Sequence, residues 1–323
     1  MNDPENKADP APLDPELIAW ASQQFGLTAY DRFTTLIQQG QFTDALFLLV
    51  DGEGKVMAQQ LATEAPVPVT TLQAPQMVGE MSWLEGKPAV STVKAEVDSR
   101  WIRIPFQTLR DCLEAKPDLA ELLYRTMARK LAQQMSQQNS FIHRWPRTEV
   151  EPLRKIFLMF DPMNDADVSW LAEQGELRRF QPDAVVIDEG TIVPNLGFVL
   201  SGTALVQVGT HVVGSSRSGE ILGEMGLLHG NDQAGASVQA SSPLALMEVD
   251  KQRIRARIQT DQSFSARFHH GLALILSHRC RDSYQAYGLH QQENDNGELD
   301  LTALEQITDA SRRFDSLCRQ WLS

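Results

Sequence analysis

One stretch of this chain occurs twice, and that duplication constrains its fold more than any other feature. Val78-Gly79-Glu80-Met81-Ser82-Trp83-Leu84-Glu85-Gly86 returns as Leu222-Gly223-Glu224-Met225-Gly226-Leu227-Leu228-His229-Gly230. Upstream, the run from Ile37 to Gly52 matches the run from Ile187 to Gly202 without a gap. Gly40 falls on Gly190, Leu46 on Leu196 and Gly52 on Gly202. Downstream, Leu109 to Leu113 matches Ile254 to Ile258. Self-similarity of this length marks a tandem duplication, so whatever one half folds into, the other does too. The registered glycines have a backbone reason, because tight hairpin turns need positive φ. A chain of 323 residues suits two bodies of roughly 150 residues each.

Within the first copy, turn residues separate short strand-like runs: 33–37, 45–50, 56–59, 67–72, 90–95 and 99–104. Strands at this spacing predict an antiparallel sandwich or barrel. A helix is expected from Asp14, as N-cap, to Phe25. After Pro105 the period becomes helical, over 108–113 and then from Asp118 to His143, with Leu119, Leu122, Leu123, Met127, Leu131 and Met135 on one face and Asp118 as its cap. The second copy repeats the plan, with a helix over 166–176 and strands from Leu177. Trp145-Pro146 and Glu151-Pro152 punctuate the boundary. The expected organisation is a disordered 1–13, a first domain over 14–145, a second over 153–288, a polar linker over 291–297 and a C-terminal amphipathic helix over 298–323. In that helix Leu301, Leu304, Ile307, Phe314, Leu317, Trp321 and Leu322 recur at three- or four-residue intervals.

Composition narrows the function. A net charge of −13 repels phosphate-rich partners, so DNA, RNA and anionic membranes are disfavoured. No apolar run approaches the roughly 18 residues of a membrane helix. The N-terminus has neither the basic region nor the apolar core of a signal peptide. Cys112, Cys280 and Cys318 are widely spaced and odd in number, as expected of a reducing cytoplasm. No nucleophile elbow, Walker loop, zinc motif or Cys–His arrangement occurs, so no enzymatic activity is expected. His269 and His270 lack metal-ligand spacing and are expected to be structural or on the surface. Lys251, Arg253, Arg255 and Arg257 alternate along one segment; in an acidic chain they read as the solvated face of a short helix.

The pattern Ile-x-x-Gly-x-x-x-x-x-Leu-(Phe/Gly)-x-(Leu/Val)-x-x-Gly, followed by Gly-Glu-Met and a small-residue strand entry, resembles the cyclic nucleotide-binding domain. The resemblance covers 14–143 and 153–288. It implies an α+β fold: two tandem jelly-roll-like antiparallel β-rolls of eight strands, each followed by helices. It also implies that the Gly-Glu stretch is a phosphate-binding cassette. Its helix N-terminus and backbone N–H groups would face a sugar-phosphate. The resemblance assigns Gly79, Glu80, Met81, Ser82, Ser91 and Thr92 to a first pocket. Gly223, Glu224, Met225, Gly226, Ala236 and Ser237 go to a second. The ligand it implies is a cyclic nucleotide (cAMP or cGMP) or a related nucleotide, with the Glu on the ribose 2′-hydroxyl and a cassette Arg on the cyclic phosphate.

This sequence departs from the family at that Arg, which falls on Ala89 and Ala234. A charge-assisted contact contributes about 1.5–3 kcal/mol. Its loss weakens binding by roughly ten- to a hundred-fold. The first copy departs further, with Pro75-Gln76 where the second keeps Gly219-Glu220. The expected function is a non-enzymatic cytoplasmic regulator whose cyclic nucleotide binding is weak, atypical or lost, with output to a protein partner. The alternative is a scaffold with empty pockets that assembles through the helices from Asp118 to His143 and Asp300 to Leu322. A transcription regulator needs a helix–turn–helix after the nucleotide domain, and only one helix is legible after Gly288. A kinase regulatory subunit would carry a basic inhibitor segment near its start, where only Lys7 is basic.

Overall fold

The computed structural model describes residues 13–59, 66–96, 98–140, 157–286 and 301–322. The expected domain boundary, the polar linker and all but the last residue of the expected disordered N-terminus lie outside them. Leu13 corrects that last expectation, because it is buried in the core.

The first copy opens with α1 (Pro15–Phe25), capped by the Asp14 side chain. Then follow β1 (Thr28–Ala29), β2 (Thr35–Ile37), β3 (Ala45–Asp51), β4 (Glu53–Gln59), β5 (Pro66–Gln73) and β6 (Gln76–Val78). It closes with α2 (Glu80–Glu85), β7 (Thr92–Ala95), β8 (Arg100–Pro105), α3 (Phe106–Ala115) and α4 (Pro117–Ser140). The second copy runs α5 (Asp165–Gln174), β9 (Gly175–Phe180), β10 (Val185–Ile187), β11 (Asn195–Ser201), β12 (Thr203–Val208) and β13 (His211–Arg217). It ends with β14 (Ile221–Leu222), α6 (Glu224–His229), β15 (Ser237–Ala240), β16 (Leu244–Asp250), α7 (Lys251–Thr260) and α8 (Gln262–Ala286). A final helix, α9 (Leu301–Leu322), follows.

Each copy is an antiparallel β-roll of two four-stranded sheets. The orders are β1-β8-β3-β6 and β2-β7-β4-β5 in the first, and β9-β16-β11-β14 and β10-β15-β12-β13 in the second. The second pair reproduces the first strand for strand. The ladders fix the equivalences residue by residue. Phe47 lies opposite Arg103 and Leu49 opposite Trp101. In the second copy Gly197 lies opposite Glu248 and Val199 opposite Leu246. Phe47 and Gly197 are therefore one structural position, as are Trp101 and Leu246.

Several element expectations need correction. Phe33 is a turn residue with φ of 69°, so the strand begins at Thr35. The strand expected from Val90 begins at Thr92. Pro117 opens α4, which places Asp118 in its first turn and not at its cap. The helix expected to reach Glu176 stops at Gln174, and Glu176 belongs to β9. The short β1 and β6 carry too few residues for an alternation to register in sequence.

The long helices α4 and α8 join the copies. Ser265 Oγ donates to Glu121 at 3.1 Å. Tyr124 stacks on His270 with ring centroids 4.0 Å apart. Cys280 Sγ donates to Leu131 O at 3.7 Å. Partners rise together along both helices, so the pair is parallel and near-equivalent positions of the duplicated sequence meet. Leu123, Met127 and Leu131 of α4 pack with Phe268, Leu272 and Leu276 of α8 in one buried cluster that spans both copies. The apolar stripe of α4 is thus covered within the chain. Part of the α9 stripe is covered too: Ala310, Phe314 and Leu317 are buried, with Phe314 against Phe157 and Phe160 at 4.9 and 5.6 Å, while Leu322 is 37% exposed. Arg312 and Arg313 both pair with Asp165 at 3.3 Å. The side chains of Leu301, Leu304 and Ile307 lie outside the described residues.

Candidate functional site

The cassette begins with a glycine for a reason the backbone states. Gly79 and Gly223 have φ of 93° and 86°, where a side chain is strained. A Cβ there would also stand 2.9 Å from Ala45 O and 3.0 Å from Asn195 O. The glycine lets β6 and β14 turn sharply into α2 and α6, whose first residues are Glu80 and Glu224. Both carboxylates are 3% exposed.

Each buried carboxylate meets a cation from the long helix of its own copy. Lys130 Nζ of α4 pairs with Glu80. Arg279 Nη1 of α8 donates to Glu224 at 2.5 Å, and its Nη2 donates to Ile221 O at 3.0 Å. Glu220 lies 3.8 Å from the same guanidinium. Burial works against the Arg279 charge, but Glu224 and Glu220 outweigh it and hold its pKa above the ordinary value. A third pair crosses between the copies. Arg281 of α8 holds Glu85 of α2 at 2.5 Å and donates to Pro88 O at 3.1 Å, and Ser277 also donates to Glu85. The Arg281 and Glu85 side chains are 3% and 0% exposed. Removing one partner from such a pair leaves an uncompensated charge in the interior.

The other predicted positions divide. Ala89 and Ala234 occupy equivalent places. The Ala89 N–H donates to Gln41 O at 3.0 Å and its carbonyl accepts from Gly40 at 2.9 Å; Ala234 does the same with Thr191 and Gly190 at 2.9 and 2.8 Å. The equivalence of Ala89 and Ala234 read from the repeat therefore holds in space, and each copy presents a methyl group there. Thr92 and Ser237 hydroxyls accept the Gln39 and Glu189 N–H at 3.1 and 3.0 Å, tying strand entry to the facing turn. Ser91 and Ala236 sit one residue before them. Met81 is buried in the shared core and Met225 packs at its edge. The carbonyls of Ser82 and Gly226 accept from Gly86 and Gly230, each at 3.0 Å, and close the helical turn.

Lys130, Arg279 and Arg281 escaped the sequence reading, because nothing local marks a lysine or arginine of a long amphipathic helix as the partner of a distant carboxylate. The solvated face expected of the basic run 251–257 holds at Arg253, which is exposed and donates to Gln174 at 3.0 Å, and fails at Lys251, Arg255 and Arg257. Lys251 is 1% exposed, donates to Val193 O at 2.6 Å and lies 3.5 Å from Asp232. Burial lowers its pKa, with Asp232 opposing. Arg255 makes a bidentate pair with Asp232 at 2.8 and 2.6 Å. Arg257 reaches the fully buried Asp167 at 3.1 Å and lies over the Trp170 and Phe264 rings. Asp232 and Asp167, which lie before the run in sequence, neutralise Lys251, Arg255 and Arg257.

The two roll interiors differ. In the first, Phe47 and Trp101 are buried with Leu49, Leu72 and Val93. The Trp101 ring reaches the opposite sheet, where a Cβ on Gly54 would meet it at 2.8 Å. Its Nε1 donates to Ser99 Oγ at 3.0 Å. In the second, Gly197 and Leu246 replace the two aromatics. A cleft of about 240 Å³ opens there between Ile187, Gly197, Leu222 and Leu246, with Asp188, Thr191, Asn195 and Glu248 as its polar residues. Asn195 Nδ2 donates to Glu248 at 3.1 Å.

Comparison with known proteins agrees with this architecture. The family model "Cyclic nucleotide-binding domain" matches residues 27–116 and 177–261, together more than half of the chain. The chain is 26% identical over 120 residues to the CRP-like cAMP-activated global transcriptional regulator of Mycobacterium tuberculosis. That match covers 37% of this chain and 53% of the regulator, so the chain spans about half the length of the curated relatives it matches. Among solved structures, the regulatory domain of Toxoplasma gondii PKA with cAMP is 16% identical, with 77% of this chain and 87% of that one covered at a TM-score of 0.29. A cyclic nucleotide-binding domain from Methylobacillus flagellatus is 18% identical over 41% of this chain and 79% of its own, at a TM-score of 0.37. No helix among the described residues is long and apolar enough to cross a membrane. With two β-rolls in one topology and a glycine–glutamate cassette in each, the chain belongs to the cyclic nucleotide-binding domain family and carries that domain twice.

Proposed function

We propose that this chain is a non-enzymatic, cytoplasmic regulatory protein in which cyclic nucleotide binding is weak or lost and output passes to a protein partner. The observation that carries the reading is the state of the two cassettes. Ala89 and Ala234 stand where the family's phosphate-pairing arginine would be. The carboxylates that would take ribose hydroxyls are paired with Lys130 and Arg279. A ligand would have to share Glu80 or Glu224 with a cation already bonded to one carboxylate oxygen, which leaves less acceptor capacity for ribose hydroxyls. It would gain no cation for its phosphate in return. The curated relative named above is described as cAMP-activated.

The apolar face of α4, and that of α9 from Ala310 to Leu317, pack within the chain, so support for assembly through those helices is weaker than for a partner met elsewhere. Phe42 and Ile192, 74% and 66% exposed at equivalent positions of the two copies, are the surface to test first. Calorimetric titration of the full chain with cAMP and cGMP tests the ligand reading. Little or no heat at micromolar concentrations is expected. Micromolar or tighter binding that disappears in Glu224→Ala would overturn it.

A further inference from the structure

The cleft in the second roll remains after the cassettes are accounted for, and its chemistry points away from phosphate. One wall is made of strand residues whose sheet positions the ladders fix, and the other is the largely exposed turn 188–194 between β10 and β11. Gly197 on β11 and Leu246 on β16 stand where the first copy has Phe47 and Trp101. Where the first copy places two aromatic rings, the second has no side chain at Gly197 and a smaller one at Leu246, and the opening lies beside them. A Cβ built on Gly197 meets Leu246 Cδ1 at 3.5 Å and Leu222 at 3.7 Å, ordinary contact distances, so the glycine answers no backbone demand for closeness. At about 240 Å³ the cleft lies below the roughly 300–1,000 Å³ of pockets for drug-sized ligands.

Among the described residues, no Lys or Arg lines it. The polar side chains that flank the apolar walls include two carboxylates, Glu248 and, at the rim, Asp188. A phosphate there would meet like charge without a compensating cation, which disfavours binding. A ring bearing N–H groups would meet acceptors at its edge and Ile187, Leu222 and Leu246 at its faces. We infer that the second roll alone binds a small phosphate-free ring compound with N–H donors, uncharged or cationic and of nucleobase to nucleoside size. The first roll, filled by its own Phe47 and Trp101, binds none.

This assignment rests on the regulatory reading above and names the ligand class for one of its two sites. Calorimetry on the full chain tests it, with adenosine and guanosine set against cAMP and cGMP. Expected is saturable nucleoside binding at one site per chain, with each cyclic nucleotide at least roughly tenfold weaker. Gly197→Phe, which rebuilds the first copy's plug, should abolish the heat. Glu248→Gln, which keeps size and removes charge, should weaken nucleoside binding by roughly tenfold and narrow the preference over cyclic nucleotides. Should Gly197→Phe fail to fold, Glu248→Gln carries the test. Cyclic nucleotides binding as tightly as nucleosides would overturn this inference, and would overturn the regulatory reading as well only at micromolar or tighter affinity. No heat from any nucleoside would overturn the inference alone, as would heat that survives in a folded Gly197→Phe protein.

Discussion

Trp101 and Leu246 hold one position in two copies of one fold, and the exchange decides whether a roll is closed. Trp101 is fully buried and touches both sheets. Trp101→Ala should cost about 3–5 kcal/mol, the range for aromatic-to-alanine changes in a core. Urea unfolding measures this, and a loss under about 1 kcal/mol would mean that the ring does not fill the first roll. Arg281 presents the opposite chemistry at the same scale. Replaced by Ala, it leaves Glu85 buried without its cation, which should also cost about 3–5 kcal/mol. The double change Glu85→Gln with Arg281→Ala should recover part of that loss, because no charge is then stranded. Loss equal to or greater than that of the single variant would show that the pair acts through packing alone. The cassette residues were legible in the sequence at this scale. Gly79 and Gly223 answer a local backbone demand, and a carboxylate at the start of a short helix is a local pattern. Lys130, Arg279 and Arg281 were not legible, because each finds its carboxylate only after the long helices have packed.

Between elements, the parallel pair α4 and α8 is the seam of the molecule. His269 sits on it, buried, with Nδ1 at 2.9 Å from Ser265 O and 3.2 Å from Ser265 Oγ. Burial pushes its pKa down to about 4 from an ordinary 6.5, and Arg125 and Arg129 on α4 add to the effect. The folded state therefore holds a neutral imidazole, while the unfolded chain takes up a proton below about pH 6.5. The stability that this contributes is fully present above the unfolded value and is lost as pH falls toward 4. The full loss is on the order of 3 kcal/mol. Unfolding free energies of wild type and His269→Gln, compared between about pH 7 and pH 4.5, isolate this from the carboxylates that titrate in the same range. The wild type should fall more steeply; parallel curves would remove His269 as the cause. The apolar stripe of α4 was readable from its period, whereas its partner was not. A stripe states only that something covers it, and here the covering element is the duplicate of the same helix.

Taken whole, the molecule is two copies around one shared core. The cluster that includes Leu13, Met127, Phe268 and Phe314 runs from α1 through α4 and α8 to α9. The chain should therefore unfold in a single calorimetric transition, although its sequence reads as two domains. Two resolved transitions would show that the shared core is too weak to couple the copies. Ending the chain after Gln292 removes α9 and bares Phe157 and Phe160. Increased binding of a hydrophobic dye and a lower melting temperature are expected. A truncated chain of unchanged stability and dye binding would reject the docking of α9 on its own copy.

The sequence by itself determined the architecture: a duplicated β-roll with a glycine–glutamate cassette in each copy and a long helix behind it. Those signals are local, since alternation, helical period and a glycine that must hold positive φ are each set by neighbours along the chain. The sequence also placed Ala89 and Ala234 where an arginine was expected, because the repeat kept its register. Tertiary structure alone decided which cations neutralise Glu80 and Glu224, that Arg281 bridges the copies, and that one roll is filled while the other is open. Those outcomes depend on distances across sheets and between helices, and residues remote in the chain set such distances without any local pattern.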